Sequence, residues 1–259
     1  MLEHRDECRD AIDKALALDP NLASAYIAKG NIEGNFDWQW DTMKELAEKG
    51  LELDPNNARG YIILSNYYLI KGQYENAEEA ILKAKALDQL NKRIGYLVGE
   101  RLMLLGEMEA AKFEFEQVLE LDPNYGLALD GLGYVYHAQG DLDSALRTWS
   151  QLHRVMGNYE IANYFLDHPF DDSVKTLLSK VEVGNPIYCT NPTILAQANS
   201  FIFDHEATFE FLDIAFKYRH EDLPLTLLKP HFRSYYDDPR FMELVDLVGV
   251  TLPPVPIKE

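Results

Sequence analysis

The residues in this sequence that could do chemistry are histidines, neighbouring aspartates and two cysteines. His137, His153 and His168 fall in different predicted helices and loops, without the close spacing that lets histidines share one metal ion. The aspartate pairs at 171–172 and 237–238 stand just before predicted helices, where a carboxylate interacts favourably with the helix dipole. We interpret these pairs as helix caps, and we predict no metal site.

Catalytic motifs are also missing from the sequence. It contains no phosphate-binding loop, no dinucleotide-binding glycine pattern, no nucleophile elbow and no HExxH motif. Cys8 and Cys189 are far apart, which fits neither a redox pair nor a zinc site, and nothing points to a disulfide between them. The sequence therefore predicts a protein that is not an enzyme and that uses no cofactor.

The strong negative charge of the chain restricts its partners. Asp and Glu number 43 against 24 Lys and Arg, which gives a formal net charge of -19. This charge disfavours direct contact with nucleic-acid phosphates or an anionic membrane surface, and it favours a neutral or basic partner. A charged surface that simply keeps the protein in solution is the alternative interpretation.

The sequence shows no sign of a membrane anchor or an export signal. No apolar run approaches the length of a transmembrane helix, and residues 1–16 lack the apolar stretch of a signal peptide. We therefore predict no membrane insertion and a cytoplasmic location. The periplasm is the alternative if the chain is part of a membrane-anchored regulator.

A repeat of 34 residues organises the N-terminal part of the chain. The segments LALDPN at 16–21, LELDPN at 51–56, KALDQL at 85–90 and LELDPN at 119–124 recur at intervals of 35, 34 and 34 residues. Glycines at 72, 106 and 140 keep the same spacing and suit a sharp turn after a helix. Alanines at 77, 111 and 145 let a second helix approach the first, and Asp-Pro ends that second helix. The period predicts an all-α solenoid of helix–turn–helix units.

On these positions the sequence resembles the tetratricopeptide repeat (TPR) family. The resemblance implies a right-handed α-solenoid that binds other proteins, with the first helix of each unit lining a concave surface. The turn GNFDWQW at 34–40 departs from the family pattern through its bulky aromatic residues. The signature positions are occupied in one repeat by Tyr61, Leu64, Ser65, Tyr68, Ala77, Ile81, Ala84 and Gln89, and in another by Leu129, Leu132, Gly133, Tyr136, Ala145, Trp149 and Leu152.

The repeat register divides the chain into three predicted parts. Residues 1–156 form an array of half a repeat and four repeats, the latter at 23–56, 58–90, 92–124 and 126–156. Residues 157–192 are an irregular helical linker or a degenerate repeat. Residues 193–259 form a terminal TPR-like helix pair, a capping helix that starts at Asp238 and Pro239, and a Pro-rich tail. We expect the apolar face of the capping helix to close the solenoid, and this face consists of Phe241, Leu244, Val245 and Val248.

A narrower resemblance comes from three segments near the two ends of the chain. They are FDWQW at 36–40, EATFEFLDIAFKYR at 206–219 and DDPRFMELVDLVGV at 237–250. Together with the repeats they resemble the C-terminal TPR region of bacterial multidomain signalling proteins, in which a nucleotide-cyclase or winged-helix domain precedes the repeats. Because the predicted helix at 2–18 has no first helix to pair with, we also expect this chain to be a piece of a longer protein.

The register also predicts which side chains face the concave surface. In a TPR unit the second, fifth, ninth and twelfth positions point into the groove, and here they combine apolar anchors with polar and charged groups, as a peptide-binding groove requires. Tyr and Arg are the residue types that most often dominate an interface. The predicted groove residues are Asn31, Arg59, Ile62, Asn66, Leu69, Arg93, Tyr96, Glu100, Met103, Leu127, Asp130, Tyr134 and His137.

These features lead to one functional hypothesis and one rival. The hypothesis is a non-catalytic protein–protein interaction module, the regulatory C-terminal part of a larger bacterial signalling protein, which binds a protein or peptide segment in its groove. Self-association through the same surface is left open. The rival is a substrate-holding or assembly subunit of an enzyme complex, and the sequence upstream of Met1 would distinguish the two.

Overall fold

The computed structural model describes residues 2–170, 172–173, 175, 192–201 and 203–254, except for the side chains of residues 2–4. These residues form helices and connecting turns, and no β-strand occurs among them. The predicted all-α solenoid is confirmed. The helices are α1 (Leu2–Leu18), α2 (Ala23–Asp37), α3 (Trp40–Leu53), α4 (Ala58–Ile70), α5 (Tyr74–Leu87), α6 (Lys92–Leu105), α7 (Met108–Leu121), α8 (Gly126–Ala138), α9 (Leu142–Val155), α10 (Tyr159–Asp167), α11 (Pro192–Phe201), α12 (His205–Lys217), α13 (Leu223–Leu227), the 3-10 helix η1 (Pro230–Tyr235) and α14 (Pro239–Val248).

Four consecutive helix pairs form the array: α2 with α3, α4 with α5, α6 with α7 and α8 with α9. Gly72, Gly106 and Gly140 follow the first helix of the last three pairs at φ values of 69°, 87° and 80°, a left-handed conformation that costs glycine little. The first pair instead places Trp38 there, at φ 56°. Trp38 can hold this conformation because its ring packs 5.6 Å from that of Phe216.

Small residues let the helices of each pair approach closely. Ala77, Ala111 and Ala145 are completely buried where the two helices meet. Phe115, four residues after Ala111, fills the space beside it so tightly that a Cβ atom at Gly99 or Gly131 would lie 2.6 Å from the phenyl ring. The core of the array therefore depends on alternating small and large side chains.

Replacing Ala111 by leucine is expected to lower the free energy of unfolding by about 1–3 kcal/mol, because the extra methyl groups have no space beside Phe115. Urea denaturation followed by circular dichroism measures this loss. Gln117→Leu, an exposed position on the same helix, is the matched control and should leave the midpoint nearly unchanged. Equal midpoints for the two variants would show that the helix contact is not tight at Ala111.

The last described part of the chain does not extend away from the array. We call residues 192–201 and 203–254 the C-terminal region. It folds back across the C-terminal ends of the first helices α2, α4, α6 and α8. The contacts are the Phe216 ring against Trp38 at 5.6 Å, Thr251 N to Ile70 O at 2.7 Å, Arg233 Nη2 to Leu104 O at 2.9 Å and the His231 ring against Tyr134 at 5.4 Å.

The helix α14 begins where the sequence analysis expects. The Asp238 side chain accepts a hydrogen bond from the backbone N–H of Arg240, and Pro239 occupies the first turn. Its predicted apolar face is buried, and the Trp40 Nε1–H donates to the carbonyl of Val248 at 3.1 Å, so the helix lies against the first pair. The boundaries at 156 and 192 stay predictions. Most of 168–192 and the Pro-rich tail beyond residue 254 lie outside the described residues.

Candidate functional site

The first helices carry the predicted groove, and the C-terminal region divides it into two halves. Arg59, Arg93, Leu127 and Asp130, near the N-terminal ends of α4, α6 and α8, have exposed side chains. We call these four residues the open half. Other predicted groove residues lie near the C-terminal ends of the same helices and are buried. They are Leu69, Met103 and Tyr134, which are 1%, 4% and 9% exposed, and we call them the covered half.

The C-terminal region supplies the side chains that fill the covered half. Leu69 belongs to the same buried cluster as Leu227 and Phe232. The ring of Tyr134 lies 6.1 Å from that of Phe201, and the ring of His137 lies 4.9 Å from it. Burial raises the pKa of Tyr134 and lowers the pKa of His137. These groove positions therefore already have an occupant within the same chain.

A buried polar network links the covered half to the open half. Its centre is Arg101, which is 2% exposed. The guanidinium donates to Glu100 Oε2 at 2.9 Å, to Ser65 Oγ at 3.2 Å and to Asn66 Oδ1. The Tyr96 hydroxyl donates to Glu100 Oε1 at 2.8 Å. Three predicted groove residues, Asn66, Tyr96 and Glu100, thus take part in a network around an arginine of their own chain.

Burial shifts the pKa values of two groups in this network. Burial raises the pKa of Tyr96 well above its ordinary value, and the neighbouring carboxylate of Glu100 raises it further. Burial lowers the pKa of Arg101, and its ion pair with Glu100 opposes that shift. The network is a structural element that fixes α6 against α4.

Arg101 is not among the predicted groove residues, although the repeat register contains a signal for it. The equivalent positions of the other three pairs are Ile32, Tyr67 and Val135, all of them buried. A charged residue at a position that is otherwise apolar needs a buried partner. Such a partner is present one residue earlier, at Glu100.

A small recess lies where the open half meets the C-terminal region. Its cavity volume is about 30 Å³, enough for about two water molecules. Trp149 Nε1–H donates to Asp130 Oδ1 at 3.2 Å, and Lys229 Nζ donates to Gln197 Oε1 at 3.0 Å. Partial burial against the recess raises the pKa of Asp130, and the residue nevertheless keeps an exposed part at the surface. The recess is too small for a metabolite.

The open half carries unpaired positive charge in an acidic protein. Arg59 and Arg93 have no carboxylate within ion-pair distance of their guanidinium groups among the described residues. Ile62 and Asn31, the remaining predicted groove residues, are half-buried on α4 and α2. Two free guanidinium groups on successive first helices form a surface that suits carboxylates or backbone carbonyls.

Two further properties concern the described residues as a whole. They contain no group of three or more His, Cys, Asp or Glu side chains placed to hold a metal ion. Among them, no helix has both the length and the apolar character needed to span a membrane.

Comparisons with known proteins support the TPR family. Two segments, residues 46–79 and 96–125, match family models described as "Tetratricopeptide repeat". The TPR repeat-containing protein YpiA of Bacillus subtilis (strain 168) is 32% identical over 83 residues, which are 32% of this chain and 20% of that protein. The chain therefore matches only about a fifth of the length of this curated relative. Neither family model describes a catalytic domain, and the narrower resemblance to signalling proteins is not confirmed.

Solved structures show the same fold at low sequence identity. The Cut9–Hcn1 structure of the APC/C is 16% identical with a TM-score of 0.60, covering 94% of this chain and 46% of that chain. The TPR protein TTC0263 of Thermus thermophilus is 20% identical with a TM-score of 0.54, covering 63% of this chain and 92% of that one. At these identities the likeness concerns the solenoid fold alone.

Proposed function

We propose that this protein is a non-catalytic interaction module that binds a carboxylate-bearing segment of a partner protein on its open half. The observation that carries the proposal is the pair of unpartnered arginines, Arg59 and Arg93, on the exposed part of the concave face. An arginine guanidinium can bind a carboxylate through two parallel hydrogen bonds, which gives both affinity and direction. The partner can be basic overall and still present one acidic side chain or a C-terminal carboxylate here.

The covered half supports this assignment by elimination. A segment that bound the whole length of the groove would have to displace Phe201, His231 and Phe232 of the C-terminal region. Binding at Arg59 and Arg93 needs no such displacement. We therefore place the partner across the N-terminal ends of α4, α6 and α8.

We further propose that the module is the C-terminal part of a larger bacterial signalling protein. The support is the resemblance of residues 36–40, 206–219 and 237–250 to the repeat regions of such proteins. The Bacillus relative supports the bacterial origin alone. Reading the coding sequence upstream of Met1 tests this point. A cyclase or winged-helix domain there favours signalling, whereas a start codon at Met1 in an operon of enzyme subunits favours the substrate-holding alternative.

Removing the two arginines is expected to weaken partner binding. Partners are first isolated with the complete chain and identified by mass spectrometry, and their affinities are then measured by calorimetry. Arg59→Ala and Arg93→Ala should each weaken binding by about 5- to 30-fold, because each removes a charge-assisted contact. Added salt should weaken the parent complex and affect the double variant much less.

Arg147→Ala is the matched control for this experiment. Arg147 lies exposed on α9, where its guanidinium donates to Ser144 of the same helix, so the substitution changes the net charge equally. It should leave the affinity unchanged. If Arg147→Ala weakens binding as much as Arg93→Ala does, the effect comes from net charge, and the open half is not the binding site.

A further inference from the structure

A second candidate binding surface lies in the C-terminal region, between α12 and α14. It is acidic, whereas the open half carries two unpaired arginines. The two helices are separated there by an open cleft of about 710 Å³. Phe209, Phe216 and Leu244 form its apolar floor, and Leu247 stands at its edge with 59% of its surface exposed. None of the residues lining the cleft belongs to α4, α6 or α8. The cleft is therefore independent of the open half.

The walls of the cleft are acidic. Glu206, Glu210 and Asp213 follow one face of α12 at intervals of about one helical turn, and Glu243 faces them from α14. Glu210, Asp213 and Glu243 are exposed and have no cation within ion-pair distance among the described residues. Like charges along one wall repel one another, and a cationic ligand removes that repulsion.

The cation that lines the cleft, Arg240, is already engaged. Its guanidinium binds Asp238 at 3.0 Å and Glu206 at 3.1 Å, and it stacks 3.9 Å from the centre of the Phe209 ring. Arg240 thus neutralises Glu206 and leaves three carboxylates around an apolar floor. A ligand for this site needs an apolar stripe and flanking positive charges.

We propose that the cleft between α12 and α14 docks an amphipathic helix of a partner protein whose apolar stripe is flanked by lysines or arginines. The 13 residues of α12 span about 20 Å, enough for three to four turns of such a helix. Leucine-like side chains spaced three and four residues apart reach Phe216 and Leu244, while basic residues one turn apart meet Glu210 and Asp213. Polyanions and anionic membranes are repelled from the same walls.

Fluorescence anisotropy with a model peptide tests the proposal on the complete chain. The probe is a labelled helix of about 14 residues, with leucines at i, i+3, i+4 and i+7 and lysines elsewhere. A scrambled peptide of the same composition and a peptide with glutamates in place of lysines are the ligand controls. We expect the amphipathic peptide to bind at least about tenfold more tightly than the scrambled one, and the acidic peptide not to bind.

Protein variants separate the cleft from general attraction to an acidic protein. The cleft variant Glu210→Gln/Asp213→Asn/Glu243→Gln should weaken binding at least about tenfold. The control variant Glu78→Gln/Glu79→Gln/Glu120→Gln removes three exposed carboxylates on α5 and α7 and should change the affinity by less than about twofold. Leu247→Ser tests the apolar edge and should also weaken binding, because the leucine stripe loses a contact.

Several results would overturn the proposal. Equal losses in the cleft and control variants would assign the binding to net charge, and equal affinities for the amphipathic and scrambled peptides would exclude helix docking. An unchanged peptide affinity of the Leu247→Ser variant would show that the peptide makes no apolar contact at the edge of the cleft, which contradicts the proposed docking. Hydrogen exchange with and without the peptide gives a second readout, with new protection expected in α12 and α14. Because Arg59→Ala and Arg93→Ala should not alter peptide binding, failure here is distinguishable from failure at the open half.

Discussion

Replacing Arg101 by methionine is expected to lower the free energy of unfolding by about 3–5 kcal/mol. Methionine fills much of the same volume, but it leaves the Glu100 carboxylate, which is 10% exposed, without its cation. Ser65 and Asn66 lose their donor at the same time. A buried carboxylate that has lost its cation is costly, and the hydrogen bond from the Tyr96 hydroxyl carries no charge to replace it.

The double variant Glu100→Gln/Arg101→Met tests the cause of this loss. It removes both charges, so it should recover a large part of the stability that the single variant loses. Arg154→Met, at an exposed arginine that donates to Asn163, is the matched control and should cost little. Urea denaturation measures all three. If Arg101→Met unfolds at the same midpoint as Arg154→Met, the network does not stabilise the fold.

Acidification from pH 7.5 to pH 5 is expected to destabilise the fold through its buried histidines. Burial lowers the pKa of His153 to about 4, against an ordinary value of 6.5. The folded state therefore holds this ring neutral, while the unfolded chain binds a proton below pH 6.5. The full stability is therefore present above pH 6.5 and is lost as the pH falls from 6.5 towards 4, with a loss in the free energy of unfolding of about 2 kcal/mol at pH 5.

His231 and His137 add to this effect in the same direction. Burial lowers the pKa of both rings, and the charge of Lys229 also lowers that of His231. The expected result is a fall in the urea midpoint between pH 7.5 and pH 5. Because carboxylates also titrate near the lower limit, the informative comparison is with His153→Leu, which should show a shallower fall. Identical pH dependence of the parent and His153→Leu would contradict the prediction.

The helix pairs can be predicted from the sequence because the residues that determine each pair lie within one repeat. Gly72 and Ala77 lie within one repeat, and each acts on residues of the same or the adjoining helix. The turn at Trp38 is different. Its positive φ occurs in a bulky residue whose indole ring packs against Phe216 and Arg219, both far along the chain.

The candidate site was predictable only in part, for the same reason. The repeat register predicts that Arg59 and Tyr134 both face the groove, but it does not predict which of them is covered by the C-terminal region. Coverage depends on the path of the C-terminal region, since His231 lies against Tyr134 and leaves Arg59 exposed. Arg101 was detectable from the sequence, because it occupies a register position that is apolar in every other pair.

The contacts between the two ends of the chain change how this solenoid must fold. Units of an open repeat array touch only their neighbours, so such arrays can fray from either end and can assemble stepwise. Here the bond from Trp40 to Val248 joins residues 208 positions apart, and the bond from Tyr74 to Thr251 joins residues 177 apart. Fraying of the first pair therefore also breaks contacts of the last helix, which couples distant units into one cooperative transition. During synthesis, the apolar surface of the early repeats stays uncovered until the C-terminal region has been made, so folding is expected to be slower than the local helix content suggests.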